Sequence, residues 1–102
     1  MNKAPPAKEF RLDLHGAFLR RTDLSRASLK RANLAGADFS KAIFRGADFE
    51  DAILDGTILK GADLTGEKNL TRSQLSKAIL DETTKLPEEF STVQTEANRG
   101  DE

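Results

Sequence analysis

With 102 residues and no cysteine, the chain has room for one domain and none for disulfides, thiolate metal centres or a cysteine nucleophile. Its apolar residues, 37% of the total, nowhere form a run approaching the roughly 20 residues of a membrane-spanning helix. The net charge of −1 conceals an asymmetry: residues 1–45 carry ten Lys or Arg against four acids and residues 46–102 carry six against thirteen, so a basic end and an acidic end are expected.

Residues 1–11 open with Met1-Asn2-Lys3-Ala4-Pro5-Pro6, hold no apolar run and read as a flexible arm, with Phe10 placed to fold back over the start of the next segment. From residue 12 a Leu or Phe recurs at every fifth residue: Leu14, Leu19, Leu24, Leu29, Leu34, Phe39, Phe44, Phe49, Leu54, Leu59 and Leu64. Two residues before most of these centres stands a small side chain (Ala17, Ala27, Ala32, Ala37, Ala42, Ala47, Ala52, Ala62), with Thr22 and Thr57 in the same place and Leu12 opening the series. Five residues advance an α-helix by about 500°, which scatters the centres around the cylinder. In a flat strand an odd period sends alternate centres to opposite faces. The pattern is satisfied when the chain bends once per five residues, turning each centre and its small companion towards a common axis.

Such fixed self-similarity is the mark of a solenoid, whose units bury apolar surface only against their neighbours. Glycine stands two after the centre at Gly16, Gly36, Gly46, Gly56, Gly61 and Gly66, where the backbone must turn sharply. Asp or Asn precedes the centre at Asp13, Asp23, Asn33, Asp38, Asp48 and Asp63, suited to bonding nearby turn amides. Stretches such as Ala32-Asn33-Leu34-Ala35-Gly36, Ala37-Asp38-Phe39-Ser40-Lys41 and Ala62-Asp63-Leu64-Thr65-Gly66 closely resemble the A(D/N)LXX unit of the pentapeptide-repeat family. The resemblance covers residues 12–66 and implies an all-β solenoid: a right-handed, four-sided parallel β-helix of just under three coils, with residues twenty apart stacked. Its inner columns would be Leu14/Leu34/Leu54, Leu19/Phe39/Leu59, Leu24/Phe44/Leu64 and Leu29/Phe49, with the three Phe centres in one aromatic layer.

Beyond the repeat, Thr71-Arg72-Ser73-Gln74 reads as a helix capping box, with Leu70 and Leu75 at staple positions. Leu75, Ala78 and Ile79 continue at helical spacing, so a short helix over about 72–81 is expected to dock on the last coil, within a capping unit of residues 67–86. This segment also resembles a terminal signature of bacterial, notably cyanobacterial, pentapeptide-repeat chains. Residues 87–102 are acidic, with Phe90 and Val93 as their sizeable apolar residues, and read as a disordered tail.

Chemistry is sparse. His15, the only histidine, follows a core centre and points outward with no second His and no Cys nearby. Ser25, Ser40 and Thr65 occupy outward positions without a general base set by any motif, and no phosphate loop, zinc spacing or calcium loop occurs. The recurrent aspartates have a turn role. No enzymatic activity, cofactor or metal is therefore expected.

Two outward sets remain. Phe18, Ile43, Ile53 and Ile58 replace the usual Asp or Asn and are candidate protein-contact residues, with local packing against corner stems as the alternative. Stacking by twenty puts Arg20, Arg21, Lys41 and Lys60 on one side, Arg26 and Arg45 on the next and Lys30 and Arg31 beyond, a candidate basic surface for an acidic protein or for phosphates. The expected function is a small cytoplasmic protein–protein interaction or scaffold module, with no membrane association and possible homodimerisation through a coil end or an apolar wall. The resemblance also raises an alternative, a DNA-mimicking modulator of a type II topoisomerase such as gyrase. Duplex DNA carries a charge per ~1.7 Å, whereas coils ~4.8 Å apart give a rod of only ~15 Å, whose first half is basic. Direct nucleic-acid binding is disfavoured because no outward aromatic run interleaves the cations.

Overall fold

Each five-residue step closes through its own turn: Ala17 N donates to the Leu14 carbonyl, Ala27 N to Leu24 and Ala32 N to Leu29, each at 3.0 Å. The residue before the closing amide has positive φ, +68° at Gly16 and +70° at Gly36, the signature of a type II turn. The computed structural model describes residues 12–90, and in it these turns wind the chain so that residues twenty apart pair in parallel. Ten isolated bridges fall into four columns: Asp13–Asn33–Ile53, Phe18–Asp38–Ile58–Ile79, Asp23–Ile43–Asp63–Lys85 and Ser28–Asp48–Lys68. No longer strand forms among the described residues, because the turn follows each bridge too closely.

The bridging amides and carbonyls of one turn bond both neighbours: Asn33 N donates to Leu12 O and Leu34 N to Ile53 O. Between bridges, Leu29, Leu34, Phe39, Phe44, Phe49, Leu54, Leu59 and Leu64 point inward and are buried, as are Ala32, Ala37, Ala42, Ala47, Ala52 and Ala62. Phe44 stacks edge-on against Phe39, with ring centroids 5.1 Å apart, and tilts against Phe49 at 5.3 Å. Thr57 substitutes for alanine in the core because its Oγ1 donates to Leu34 O at 2.6 Å, which satisfies the buried hydroxyl. The sequence suggests that all eleven centres are buried, yet Leu14, Leu19 and Leu24 are half-buried: they belong to the first described turn, which has a described neighbour on one side only.

Beyond residue 66 the path departs from the expectation. Asn69 takes the place of a centre, but with φ +64° it turns outward and its Nδ2 donates to Asp48 Oδ1 at 2.9 Å, leaving Leu70 to enter the core. Helix α1 spans Arg72–Lys77, shorter than the 72–81 expected. Ala78 is extended (φ −92°, ψ 166°), since Ile79 N donates to Thr57 O and Leu59 N to Ile79 O, so the chain re-enters the parallel pairing instead of prolonging the helix. Lys85 does the same beside Asp63. The capping box forms: Gln74 N donates to Thr71 Oγ1 at 3.1 Å and Thr71 N to Gln74 Oε1 at 2.8 Å. Thr71→Ala is expected to lower stability by about 1 kcal/mol in urea denaturation, without changing the fold.

Residues 87–102 were expected to lack structure, but Glu88–Phe90 forms a 3₁₀ turn, with Phe90 N donating to Pro87 O at 2.8 Å and the Phe90 ring buried with the core cluster. The expectations for residues 1–11, Phe10 included, and for residues 91–102 lie outside the described residues.

Candidate functional site

The outward surface consists of the four bridge columns and the two-residue corners between them, and the corners differ in charge. After the Phe18 column the corner reads Arg20-Arg21, Ser40-Lys41 and Lys60-Gly61 in successive turns, stacked by Arg21 N to Ser40 O at 2.9 Å and Lys41 N to Lys60 O at 2.8 Å. The next corner reads Ser25-Arg26, Arg45-Gly46 and Thr65-Gly66, stacked by Arg26 N to Arg45 O at 2.7 Å. These two corners hold six cations and no acid. The third sets Lys30-Arg31 over Glu50-Asp51 and is neutralised internally, with Lys30 Nζ 3.8 Å from Asp48 and 3.9 Å from Glu50.

Three of the six cations are held in an unusual backbone state. Arg21, Arg26 and Lys41 have φ near +61°, where an L side chain costs roughly 1–2 kcal/mol and where the equivalent corners use glycine. The stem of each of two of them lies over a glycine of the following turn: a Cβ on Gly46 would be 3.3 Å from Arg26 Cγ, and one on Gly61 3.0 Å from Lys41 Cγ. Among the described residues Arg21, Arg26 and Lys41 have no ion pair, whereas Arg20 Nε approaches Asp38 Oδ2 at 4.0 Å. Ser40, expected outward, is buried in the column between Arg20 and Lys60 and donates its hydroxyl to Asp38.

The apolar candidates divide. Phe18 is 85% exposed, on the turn with no described neighbour before it. Ile43, Ile53 and Ile58 are half-buried within their columns, Ile43 between Asp23 and Asp63 and Ile58 between Asp38 and Ile79. His15 is exposed and its Nδ1 lies 2.6 Å from Asp13 Oδ1. No group of three or more His, Asp or Glu gathers as metal ligands among the described residues, and no described helix is long and apolar enough to cross a membrane.

The recurrent aspartates act within their own turns. Ser25 N and Oγ both donate to Asp23 Oδ1, at 3.0 and 2.6 Å, and Ser40 and Thr65 repeat the arrangement on Asp38 and Asp63. Hydrogen bonds hold six carboxyls below the usual range: those from His15, Ser25, Ser40, Asn69 and Thr83 are the main cause at Asp13, Asp23, Asp38, Asp48 and Asp81, while at Asp63 burial pulls upward and the Thr65 bonds outweigh it. Each lowered group contributes stability that is complete above its unfolded pKa, about 4, and is lost as pH falls through its folded value, so the urea midpoint is expected to drop below about pH 4. Glu67 works in the opposite sense: burial pushes its carboxyl up, its ionised form opposes folding near neutrality, and that penalty fades as pH falls through its folded value. Glu67→Gln keeps an acceptor for Leu70 N and is expected to raise the urea midpoint near neutral pH and not below about pH 3.

Pentapeptide repeats match residues 11–46 and 32–66 in eight copies. Among solved structures, the pentapeptide repeat protein Rfr23 from the cyanobacterium Cyanothece 51142 superposes with a TM-score of 0.63 at 31% identity, over 72% of this chain and 49% of that one. QnrB1, a plasmid-mediated fluoroquinolone resistance protein, superposes with a TM-score of 0.54 at 22% identity, over 69% of this chain and 35% of that one, a likeness of fold alone. The chain thus spans half or less of the length of these solved relatives, and no curated protein matches it significantly. With the repeats matched across more than half of its length, the chain belongs to the pentapeptide-repeat family and its fold is a right-handed β-helix solenoid.

Proposed function

We propose that the protein is a non-enzymatic protein–protein interaction or scaffold module, in which residues 12–66 form a four-sided β-helix of just under three coils and residues 67–86 close one end. The observation that carries this reading is the pinned backbone beneath the outward side chains: Phe18, Ile43, Ile53 and Ile58 all stand at parallel bridges, so they are offered on a rigid surface at little entropic cost to a partner. Phe18, at 85% exposure, is the largest apolar side chain so offered. A DNA-imitating, topoisomerase-directed role fits less well, because two adjacent corners carry six cations where imitation of a duplex needs anions.

The test is site-specific photo-crosslinking in living cells from positions 18, 43, 53 and 58, one at a time, in the full chain. A discrete adduct from at least one position, to another protein or to a second copy, is expected. Absence of any adduct from all of them would refute the module.

A further inference from the structure

We infer that the column Asp23–Ile43–Asp63, with the basic corners on either side of it, is a docking site for an extended acidic protein segment in which carboxylates alternate with apolar side chains. This deepens the interaction-module reading and rests on it. One flank supplies Arg20, Arg21, Lys41 and Lys60, the other Arg26 and Arg45, and the face between them contains only the two acids Asp23 and Asp63. Both of those carboxylates are already occupied through Oδ1 by the Ser25 and Thr65 turns. Those hydrogen bonds leave both carboxylates charged, so six cations against two acids give the surface an excess of four positive charges on a chain whose overall charge is −1.

Three features turn this excess into a site. At its centre Ile43 is half-buried between the two aspartates, a shallow apolar anchor framed by cations. Beside it lies an open depression lined by Arg26, Arg45, Gly46 and Gly66 together with Asp23, Ser25 and Thr65, where the glycines lower the rim next to the guanidinium stems and two cations face the one carboxylate. Finally, Arg21, Arg26 and Lys41 occupy the left-handed conformation that Gly61, Gly46 and Gly66 hold in the same two corners, and no described acid pairs with them. Packing does not require cations there. Because Gly46 and Gly61 leave room for the Arg26 and Lys41 stems to lie on the next turn, the charged heads start from a fixed root, and less freedom is lost when a carboxylate arrives. The corner bearing Lys30 supplies the contrast, since Asp48 and Glu50 already satisfy it.

An acidic protein fits better than a nucleic acid. The face carries no aromatic side chain for a base to stack on, and turns ~4.8 Å apart give it a length of only ~10–15 Å, enough for a few phosphates. An extended peptide, whose side chains alternate between opposite faces about every 3.3 Å, sets its apolar face on Ile43, and the long Arg and Lys side chains of the two corners reach around its edges to the carboxylates.

The experiment is fluorescence anisotropy of the full chain with a fluorescein-labelled octapeptide of alternating Glu and Leu, and separately with an oligothymidylate of eight nucleotides. Saturable peptide binding that weakens with salt is expected. In the triple variant Arg21→Gly, Arg26→Gly, Lys41→Gly it should weaken at least about tenfold, while the thermal midpoint stays the same or rises because glycine suits these corners. Ile43→Asp should weaken it as well, and Lys30→Glu should not. No saturable binding at millimolar peptide, an equal loss in Lys30→Glu, or tighter binding of the oligothymidylate would each overturn the inference. Should the peptide fail while photo-crosslinks form from Phe18, this site is wrong and the module stands; failure of both removes both.

Discussion

Phe44→Ala is expected to abolish cooperative folding near room temperature. Phe44 is fully buried in the middle turn and touches the rings of Phe39 and Phe49, at centroid distances of 5.1 and 5.3 Å. Removing a buried phenylalanine costs about 3–5 kcal/mol, a large share of the roughly 5–15 kcal/mol that holds a whole domain folded. In a solenoid each turn is stabilised by its neighbours, so a void in the middle turn weakens both of its interfaces at once. Phe44→Leu separates lost volume from lost shape. Leu24 and Leu64 occupy the equivalent place in the turns on either side, so this backbone accommodates leucine there, and a loss of only about 1–2 kcal/mol is expected. Urea titrations followed by circular dichroism measure both variants. Should Phe44→Ala unfold within 1 kcal/mol of the parent, roughly the cost of a surface change, the three rings are not the keystone of the stack.

The columns were legible in the sequence because one rule, a Leu or Phe every five residues, operates without interruption from Leu14 to Leu64. The rule stops being readable where the chain keeps its geometry but changes its count. Ala78-Ile79-Leu80 and Thr84-Lys85-Leu86 repeat the pattern of small residue, bridge and leucine, yet Ile79 pairs with Ile58 at an offset of twenty-one and Lys85 with Asp63 at twenty-two. A fixed count passes over both. Helical spacing misled for the same reason: Leu75, Ala78 and Ile79 share a face on paper, but Thr57 O and Leu59 N offer Ile79 two backbone hydrogen bonds that a longer helix would forgo. Phe90 was read as part of a disordered tail because an isolated apolar residue in an acidic stretch has no periodicity that assigns it to the core. Of the basic surface, the residue types and their stacking were visible. The positive φ at Arg21, Arg26 and Lys41 was only implicit in their falling at the glycine position of the repeat, a signal that emerges from counting corners instead of centres.

The turn against which α1 packs should fail in a way that a core mutation does not. A helix of six residues has no stability of its own, so α1 persists because of its contacts with the solenoid. Leu75 is its one buried residue, 1% exposed, and Gln74 Nε2 donates to the carbonyls of Phe49 and Ala52, each at 2.9 Å, while Gln74 Oε1 completes the capping box. Leu75→Asp puts a carboxylate without a counter-charge into that contact, for which a loss of at least about 3 kcal/mol is expected. The consequence reaches beyond stability. With α1 displaced, the carbonyls of Phe49 and Ala52 and the Gly56 amide lose their partners on α1 and face solvent, the arrangement that recruits further chains edge to edge. Time-dependent light scattering should therefore rise in Leu75→Asp at temperatures where Phe44→Leu stays clear. Gln74→Ala removes the two carbonyl bonds but keeps the apolar contact, and should lose about 1–3 kcal/mol with little aggregation. If Leu75→Asp stays monomeric with an unchanged unfolding midpoint, α1 is an ornament on the solenoid, and the end of the stack is protected by the Ile79 and Lys85 rungs alone.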